Sequence, residues 1–229
     1  MDEKGLSLLT RAVSLVEMPL SESQLHLLER YYQEIVRWNE KINLLSRSTL
    51  EETLLKNFLD SLMVGRFLLP GEGPMLDLGT GGGFPGIPLK IAYDTLNVFL
   101  LEASRKKTSF LKHVIRTLQL KGITVLHGRA EELARQEAYQ GAFGAVISKA
   151  AFKLPQFLTL SALFLAPDGV LLALKGEDMQ EEIQAAAPAA AASGLYLSAS
   201  HAYTLPLTGD RHTILIYKKA SRHPSAFSG

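Results

Sequence analysis

Near the middle of the chain, Asp77, Gly79, Gly81, Gly83 and Gly86 are spaced as residues that hold a nucleotide-like ligand. The short apolar run Met75-Leu76-Asp77-Leu78 carries an acid near its end, and a glycine-dense turn follows through Gly86. Ile87-Pro88-Leu89-Lys90-Ile91 then reads as the opening of a helix, with proline in the first turn, where its missing N–H does no harm. Strand, glycine turn and helix N-terminus form the ligand-binding unit of open α/β sheets. Glycine lets the backbone turn sharply there and approach a ligand with no Cβ in the way.

Two frames fit these residues. Gly81-x-Gly83-x-x-Gly86 matches the dinucleotide fingerprint, and Glu102, 21 residues after Gly81, stands near the position of a ribose-binding acid. Asp77-x-Gly79-x-Gly81-x-Gly83 instead resembles the first motif of Rossmann-like methyltransferases that use S-adenosylmethionine (AdoMet). The acid separates the two. A fixed carboxylate repels a pyrophosphate but suits AdoMet, which has no phosphate and carries a cationic sulfonium and ammonium. AdoMet is the preferred reading; a dinucleotide, or a turn that binds nothing, are the alternatives.

Composition narrows the setting. A chain of 229 residues that is 47% hydrophobic can bury a large core in one domain, or in a domain with a small appendage. Without cysteine there are no disulfides or thiolate metal sites. The start, Met1-Asp2-Glu3-Lys4, lacks the pattern of a secretory signal, and no apolar run approaches the ~20 residues of a membrane helix. The expectation is a soluble, cytoplasmic protein. Its net charge of +1 excludes a generic polyanion binder, yet Arg105, Lys106, Lys107, Lys112, Arg116 and Lys121 cluster with no acid among them. Such a patch suits a localised anionic partner.

The elements that must position these residues follow from periodicity. Residues 3–17 read as an amphipathic helix. Ser21-x-x-Gln24 is a capping box before a helix carrying Leu28, Tyr31, Tyr32, Ile35, Trp38 and Ile42, and Thr49-x-x-Glu52 caps another that runs to about Leu68. The tyrosines and Trp38 read as core rather than as a base-stacking platform. Residues 1–70 thus form a helical subdomain, joined at Pro70-Gly71-Glu72-Gly73-Pro74 to a domain over 71–220, with a mobile tail over 221–229. Strands are expected near 74–78, 97–102, 123–127, 144–148, 169–174, 195–204 and 212–218. Helices fall at about 86–93, 105–120, 130–137, 154–165 and 177–193, the last a surface helix kinked at Pro188. Alternation of this kind predicts a mostly parallel sheet covered on both faces. Only a short turn joins the last two strands, so they form an antiparallel hairpin. Seven strands ending in a hairpin is the class I methyltransferase layout.

Ligands of such sheets bind at the carboxyl ends of the strands. Those ends offer Asp77 to Gly83, Glu102-Ala103, Gly128-Arg129-Ala130-Glu131, Ser148-Lys149-Ala150 and Lys175-Gly176. Glu102 can accept hydrogen bonds from both ribose hydroxyls, or simply balance a helix dipole. Ala130-Glu131 suits the edge and face of adenine, and Glu131 reads equally as an ordinary first-turn acid. In the basic helix, Arg105, Lys106 and Lys107 sit at the end where the dipole disfavours cations, which hints at phosphate contact; a solvated face explains the stretch in isolation. The six histidines show no metal-ligand spacing, and no Walker loop or nucleophile elbow is present.

With these residues in view, the chain resembles the RsmG family, also called glucose-inhibited division protein B, over about residues 20–218. The most specific piece is Asp77 through Ile91, with Phe84-Pro85-Gly86-Ile87-Pro88 after the glycines. Trp38-Asn39-x-x-Ile42-Asn43-Leu44, Asp60-Ser61-Leu62, Arg105-Lys106-Lys107-x-x-Phe110-Leu111, Arg129-Ala130-Glu131 and Lys175-Gly176 support it. The resemblance implies AdoMet contact at Gly79, Phe84, Ala130 and Glu131, and methylation of a guanine N7 in 16S ribosomal RNA. The family usually has His where this chain has Asn57, and Arg where it has Lys149; lysine keeps the charge but loses the planar fork. The expected cofactor set is Asp77, Gly79, Gly81, Phe84, Glu102, Ala130, Glu131 and Lys149. Lys149, Lys175, Arg105 and Lys106 are the candidates for positioning substrate. Because N7 has a lone pair in the neutral base, no general base is expected, and the histidine spacing gives no expectation of a metal. The partner is 16S RNA or the small ribosomal subunit, met by a monomer. A small molecule or protein as methyl acceptor is the rival reading.

Overall fold

The computed structural model describes residues 10, 13, 14, 18–44, 50–68, 73–206 and 208–219. The helix expected over 3–17 falls mostly outside these residues, as do the Thr49 cap, residues 70–72 of the joint and the tail from 221. Of the elements whose bounds are described, two helices come first, α1 (Glu22–Asn39) and α2 (Leu50–Gly65). Then β1 (Met75–Leu78), α3 (Gly86–Ala92), β2 (Val98–Glu102), α4 (Arg105–Thr117), β3 (Ile123–His127) and α5 (Ala130–Leu133) follow. The chain continues through β4 (Phe143–Lys149), α6 (Leu154–Phe164), β5 (Leu165–Lys175), α7 (Gln180–Ala192), β6 (Leu195–Thr204) and β7 (Arg211–Lys219).

The seven strands make one sheet in the order β3-β2-β1-β4-β5-β7-β6. Pairs are parallel from β3 to β5, and β7 is antiparallel to both β5 and β6. The expected class I methyltransferase layout with its terminal hairpin is therefore present. Strand order reverses between β1 and β4, and the crevice at such a switch point is where open sheets bind ligands.

Alternation along the strands builds a core on each face. Met75, Val98, Leu100, Ile147, Leu172 and Ile214 face one cluster, which also contains Leu28, Tyr31 and Ile35 of α1 and Phe58, Leu59 and Leu62 of α2. Leu76, Leu78, Leu101, Val146, Leu171 and Leu215 face the other, against Phe157 and Leu158 of α6 and Ala186 of α7. The N-terminal helices thus share a core with the sheet.

Specific bonds dock α1. Ser21 and Gln24 form the expected capping box, and the same Gln24 amide donates to the carbonyls of Ile91 and Ala92 at the end of α3. Arg30 donates to the Thr117 carbonyl at 2.6 Å, satisfying the end of α4. Glu34, 6% exposed, takes Arg37 at 2.7 Å and His113 of α4 at 2.8 Å. Trp38 packs on Phe110 and His113 with ring centroids 5.6 and 5.2 Å away. It is half-buried and packs against the core, as its helical spacing predicts.

Three elements differ from expectation. The helix foreseen over 130–137 stops at Leu133, with a separate 3₁₀ turn at Glu137–Tyr139. Only Ala130, Leu133 and Ala134 reach the core, too few apolar positions to hold a second turn. Strand β5 starts at Leu165, which pairs with Phe143 ahead of a register shift. Helix α7 runs through Pro188 and buries Ala186 and Ala190, so it is not merely a surface helix.

Tyr31 is fully buried, and its hydroxyl donates to the carbonyl of Gly82 in the glycine turn. Tyr31→Phe leaves that carbonyl unsatisfied and is expected to lower the free energy of unfolding by about 1–3 kcal/mol. Denaturant titration followed by circular dichroism measures this. Because helices and sheet share a core, the transition should stay single.

Candidate active site

The turn between β1 and α3 is closed by one carboxylate. Asp77 lies on the Met75 face of β1, is 0% exposed, and accepts the Thr80 hydroxyl at 2.6 Å and the Gly86 N–H at 2.8 Å, both on Oδ2. The second bond comes from the first residue of α3, so the acid also serves that helix end. A side chain at Gly86 cannot be accommodated: its Cβ would lie 2.3 Å from Leu100 Cδ2 and 2.8 Å from Asp77 Oδ2. Burial pushes the Asp77 carboxyl up to about 7, and the nearby Glu102 charge adds to this; the Thr80 and Gly86 hydrogen bonds and Lys149 act the other way. Its Oδ1 is buried without a partner.

Above this turn lies a cavity of about 440 Å³ at the carboxyl ends of β1–β4. Its floor is Gly79 to Gly82 with Phe84; Leu101, Glu102, Ala103 and Lys107 line one end with Gly128 and Ala130, and Asn57, Lys149, Ala151 and Phe152 the other. Leu44 completes the wall. Glu102 accepts the Gly81 N–H at 3.0 Å on one oxygen and the Ser104 N–H at 2.7 Å on the other. Each oxygen keeps a lone pair for a further donor.

The turn's amides decide between the two ligand frames. Those of Gly79 and Thr80 donate to the Leu101 carbonyl, and those of Gly83 and Phe84 to the Thr80 carbonyl. Gly81 and Gly86 donate to Glu102 and Asp77. A pyrophosphate needs such amides free. These six are committed inside the protein, beside Glu102 and above the buried Asp77. A ligand with hydroxyls and a positive charge fits, and AdoMet has both.

Of the residues expected to bind cofactor, Gly79, Gly81, Phe84, Glu102, Ala130 and Lys149 line the cavity. Asp77 lies beneath it, and Glu131 is exposed on α5 and does not line it. Arg105 and Lys106 are exposed at the start of α4, where Lys107 is the cation that reaches the wall. Lys175 does not reach the cavity. Its ammonium donates to the Phe152 carbonyl at 3.0 Å and to Glu182 at 2.7 Å, under the loop after β4.

Two residues of the site, Asp60 and Asn39, were marked in the sequence only by the family-like motifs, with no role attached. Asp60 of α2 is 3% exposed and accepts Tyr203 at 2.8 Å and His212 at 2.6 Å on one oxygen. Its other oxygen stands 3.6 Å from the Lys149 ammonium. Asp60 thereby ties α2, β4 and the terminal hairpin together at the cavity edge. Asn39 accepts the Leu44 N–H at 2.9 Å, which shapes the turn that brings Leu44 to the wall. Both acids-and-amides sit in the family-like motifs, but nothing in their local spacing indicates what they reach.

Fold and site together define a class I, AdoMet-dependent methyltransferase. Solved structures share this architecture: the M. jannaschii TYW2 in complex with AdoMet has a TM-score of 0.57 at 18% identity, over 79% of this chain and 80% of its own. A geranyl diphosphate methyltransferase in complex with GPP and sinefungin has 0.58 at 12%, over 86% and 100%. The chain belongs to the rRNA small subunit methyltransferase G (GidB) family, whose model matches residues 24–214. The ribosomal RNA small subunit methyltransferase G of Syntrophus aciditrophicus is 40% identical over 214 residues, 93% of this chain and 89% of that one. Its namesake in Geotalea uraniireducens is 35% identical over 96% of this chain and its own full length.

The position of Asp77 has a consequence for stability. Between the carboxyl's ordinary value of 3.8 and about 7, the folded chain retains a proton that the unfolded chain has released. Stability contributed by this group therefore falls as pH rises through that window, by up to about 1.4 kcal/mol per unit, and is level above it. Urea unfolding of ligand-free protein from pH 4 to 8 should show wild type losing stability relative to Asp77→Asn up to about pH 7. A rising or flat difference would contradict this assignment.

Proposed function

We infer that the enzyme transfers a methyl group from AdoMet to N7 of one guanine in the 16S RNA of the small ribosomal subunit. The observation that carries this reading is the make-up of the acceptor end of the cavity. Asn57, Lys149, Ala151 and Phe152 line it, with no carboxylate and no imidazole among these described residues. Such an end offers no carboxylate or imidazole to remove a proton, and guanine N7 needs none removed.

When bound, AdoMet supplies a methyl group made electrophilic by its cationic sulfur. The methyl would pass to the N7 lone pair with the S–C pair left on sulfur, so that the positive charge would end on the purine. What the chain supplies is alignment. Glu102 offers its remaining lone pairs to ribose hydroxyls, Gly128 and Ala130 face the adenine end, and Gly79, Gly81 and Phe84 support the middle. N7 shares the Hoogsteen edge of guanine with O6, an acceptor. Lys149 donates to O6, while Asp60 behind it offsets an ammonium that would otherwise oppose charge developing on the base. Arg105, Lys106 and Lys107 lie on the side of the cavity where RNA phosphates pass. In duplex RNA, N7 faces a deep, narrow groove, so the acceptor is a looped or splayed guanine.

In this reading residues 1–70 are a helical subdomain carried on the AdoMet-binding domain of 71–220, and the protein acts in the cytoplasm as a monomer without a metal. Among the described residues no helix is long and apolar enough to cross a membrane, and no group of three His, Asp or Glu could hold a metal ion.

Labelled AdoMet, incubated separately with unmodified small subunits and with their purified RNA, should place label on one guanine N7. Lys149→Gln should lower kcat/KM for the better acceptor at least about tenfold, as loss of a charged hydrogen bond worth 1.5–3 kcal/mol implies. No transfer to either acceptor, with AdoMet bound, would overturn the RNA substrate and leave the fold standing.

A further inference from the structure

One aromatic ring at the acceptor end is held in a way the cofactor does not explain. Among the described residues two aromatics line the cavity, Phe84 and Phe152. Phe84 is 5% exposed, with ring centroids 5.4 Å from both Tyr31 and Phe58, so it is committed to the core. Phe152 keeps part of its surface exposed.

The sheet sets where that ring stands. In the order β3-β2-β1-β4, the strand ends lay out Ala130, Glu102, Gly79 and then Lys149 to Phe152. Two strand spacings, about 10 Å, separate the carboxylate suited to ribose from the loop after β4. Cofactor held by Glu102 fills the first part of that distance, and the acceptor must occupy the last. Phe152 lies against the turn there: a Cβ on Gly79, whose φ is +75°, would stand 3.1 Å from the Phe152 ring.

The main chain around Phe152 is fixed on both sides. Lys175 of β5 donates to the Phe152 carbonyl at 3.0 Å and to Glu182 of α7 at 2.7 Å. The same Glu182 oxygen accepts the Leu154 N–H at 2.7 Å. Just before, Ala150 has φ +53°, a left-handed conformation that costs a non-glycine residue energy and recurs at functional loops. An ion pair from two other elements thus clamps a strained loop whose one aromatic side chain lines this end of the cavity.

We propose that the Phe152 ring is the stacking platform for the acceptor guanine, and that Lys175 and Glu182 are positioning residues that set its place. This rests on the guanine reading above and deepens it. A guanine withdrawn from RNA loses its stacking neighbours, and an aromatic face replaces them. That face also tolerates the positive charge which the purine acquires, because the ring's π face attracts cations. The clamp accounts for a lysine–glutamate pair that touches no cofactor position.

The test uses the full chain, labelled AdoMet and the better of the two RNA acceptors, with AdoMet affinity measured by equilibrium dialysis. Phe152→Leu should bind AdoMet within about threefold of wild type and lose roughly 10- to 100-fold in kcat/KM for RNA, the effect of deleting one base stack. Phe152→Trp should restore most of it. Lys175→Met should show the same split, and in the Phe152→Leu background it should add less than about twofold, since both changes remove one contact. Phe152→Leu that matches wild type on RNA, that loses AdoMet affinity in proportion to activity, or that Phe152→Trp does not exceed, overturns the platform. Independent, multiplying effects of Lys175→Met overturn the clamp. A wild-type chain inactive on both acceptors overturns the guanine reading and this inference with it, and is told apart from the other outcomes by that control alone.

Discussion

The two hydrogen bonds accepted by Asp77 Oδ2 are the constraint on which the site depends. They join Thr80, at the start of the glycine turn, to Gly86, at the start of α3. Other bonds hold parts of the turn, but these two alone tie Thr80 and Gly86 to a single atom of β1. The geometry leaves no slack, because the Gly86 backbone must come within reach of a carboxylate already under Leu100. The cost is a buried acid whose charged form is disfavoured, with one oxygen unpartnered. Such a cost is tolerable where the turn must hold its shape around a ligand. The role is thus less direct than attraction between an acid and a cationic cofactor: Asp77 shapes the surface, and Glu102 presents charge to it.

The N-terminal helices extend the same constraint outward. Tyr31 reaches the turn through the Gly82 carbonyl, and Phe58 packs against both Tyr31 and Phe84. Glu34 holds His113 in the middle of the basic helix, and Asp60 holds the hairpin and faces Lys149. Helices that might have been an appendage therefore touch the cofactor turn, the basic helix and the acceptor end at once. Their attachment is mostly apolar, with buried polar groups setting the register, as close-packed cores allow little rearrangement.

Much of this was legible in the sequence, for physical reasons that also mark where legibility ends. Strand alternation, the capping box at Ser21 and the stripe of Phe110, Leu111, Val114 and Leu118 are local patterns, and each is found where it was expected. The Asp77 to Gly86 stretch was legible because its chemistry is consecutive in sequence. Lys175 was not, since a lysine at a strand end reads as substrate-facing until a glutamate seven residues on turns it under a loop. Asp60 and His212 are 152 residues apart, and no periodicity links them. Phe152 was invisible for a related reason: its direction depends on the left-handed turn at Ala150, which alanine does not advertise.

Charge balance explains why the acceptor end has the composition it does. The reaction begins with a cation on sulfur and ends with one on the purine, so an isolated ammonium beside the base would oppose the very step it helps to orient. Lys149 is admissible because Asp60 stands 3.6 Å behind it, itself 3% exposed and backed by Tyr203 and His212. On the proposed reading the pair acts much as a dipole, positive end toward the cavity, which would donate to O6 with less net repulsion of the ring than a lone ammonium. A carboxylate placed directly at the acceptor end would attract the charge more strongly, but it would also compete with guanine for the methyl group. Keeping the acid one residue back, on another element, preserves its field and removes it from the methyl's reach.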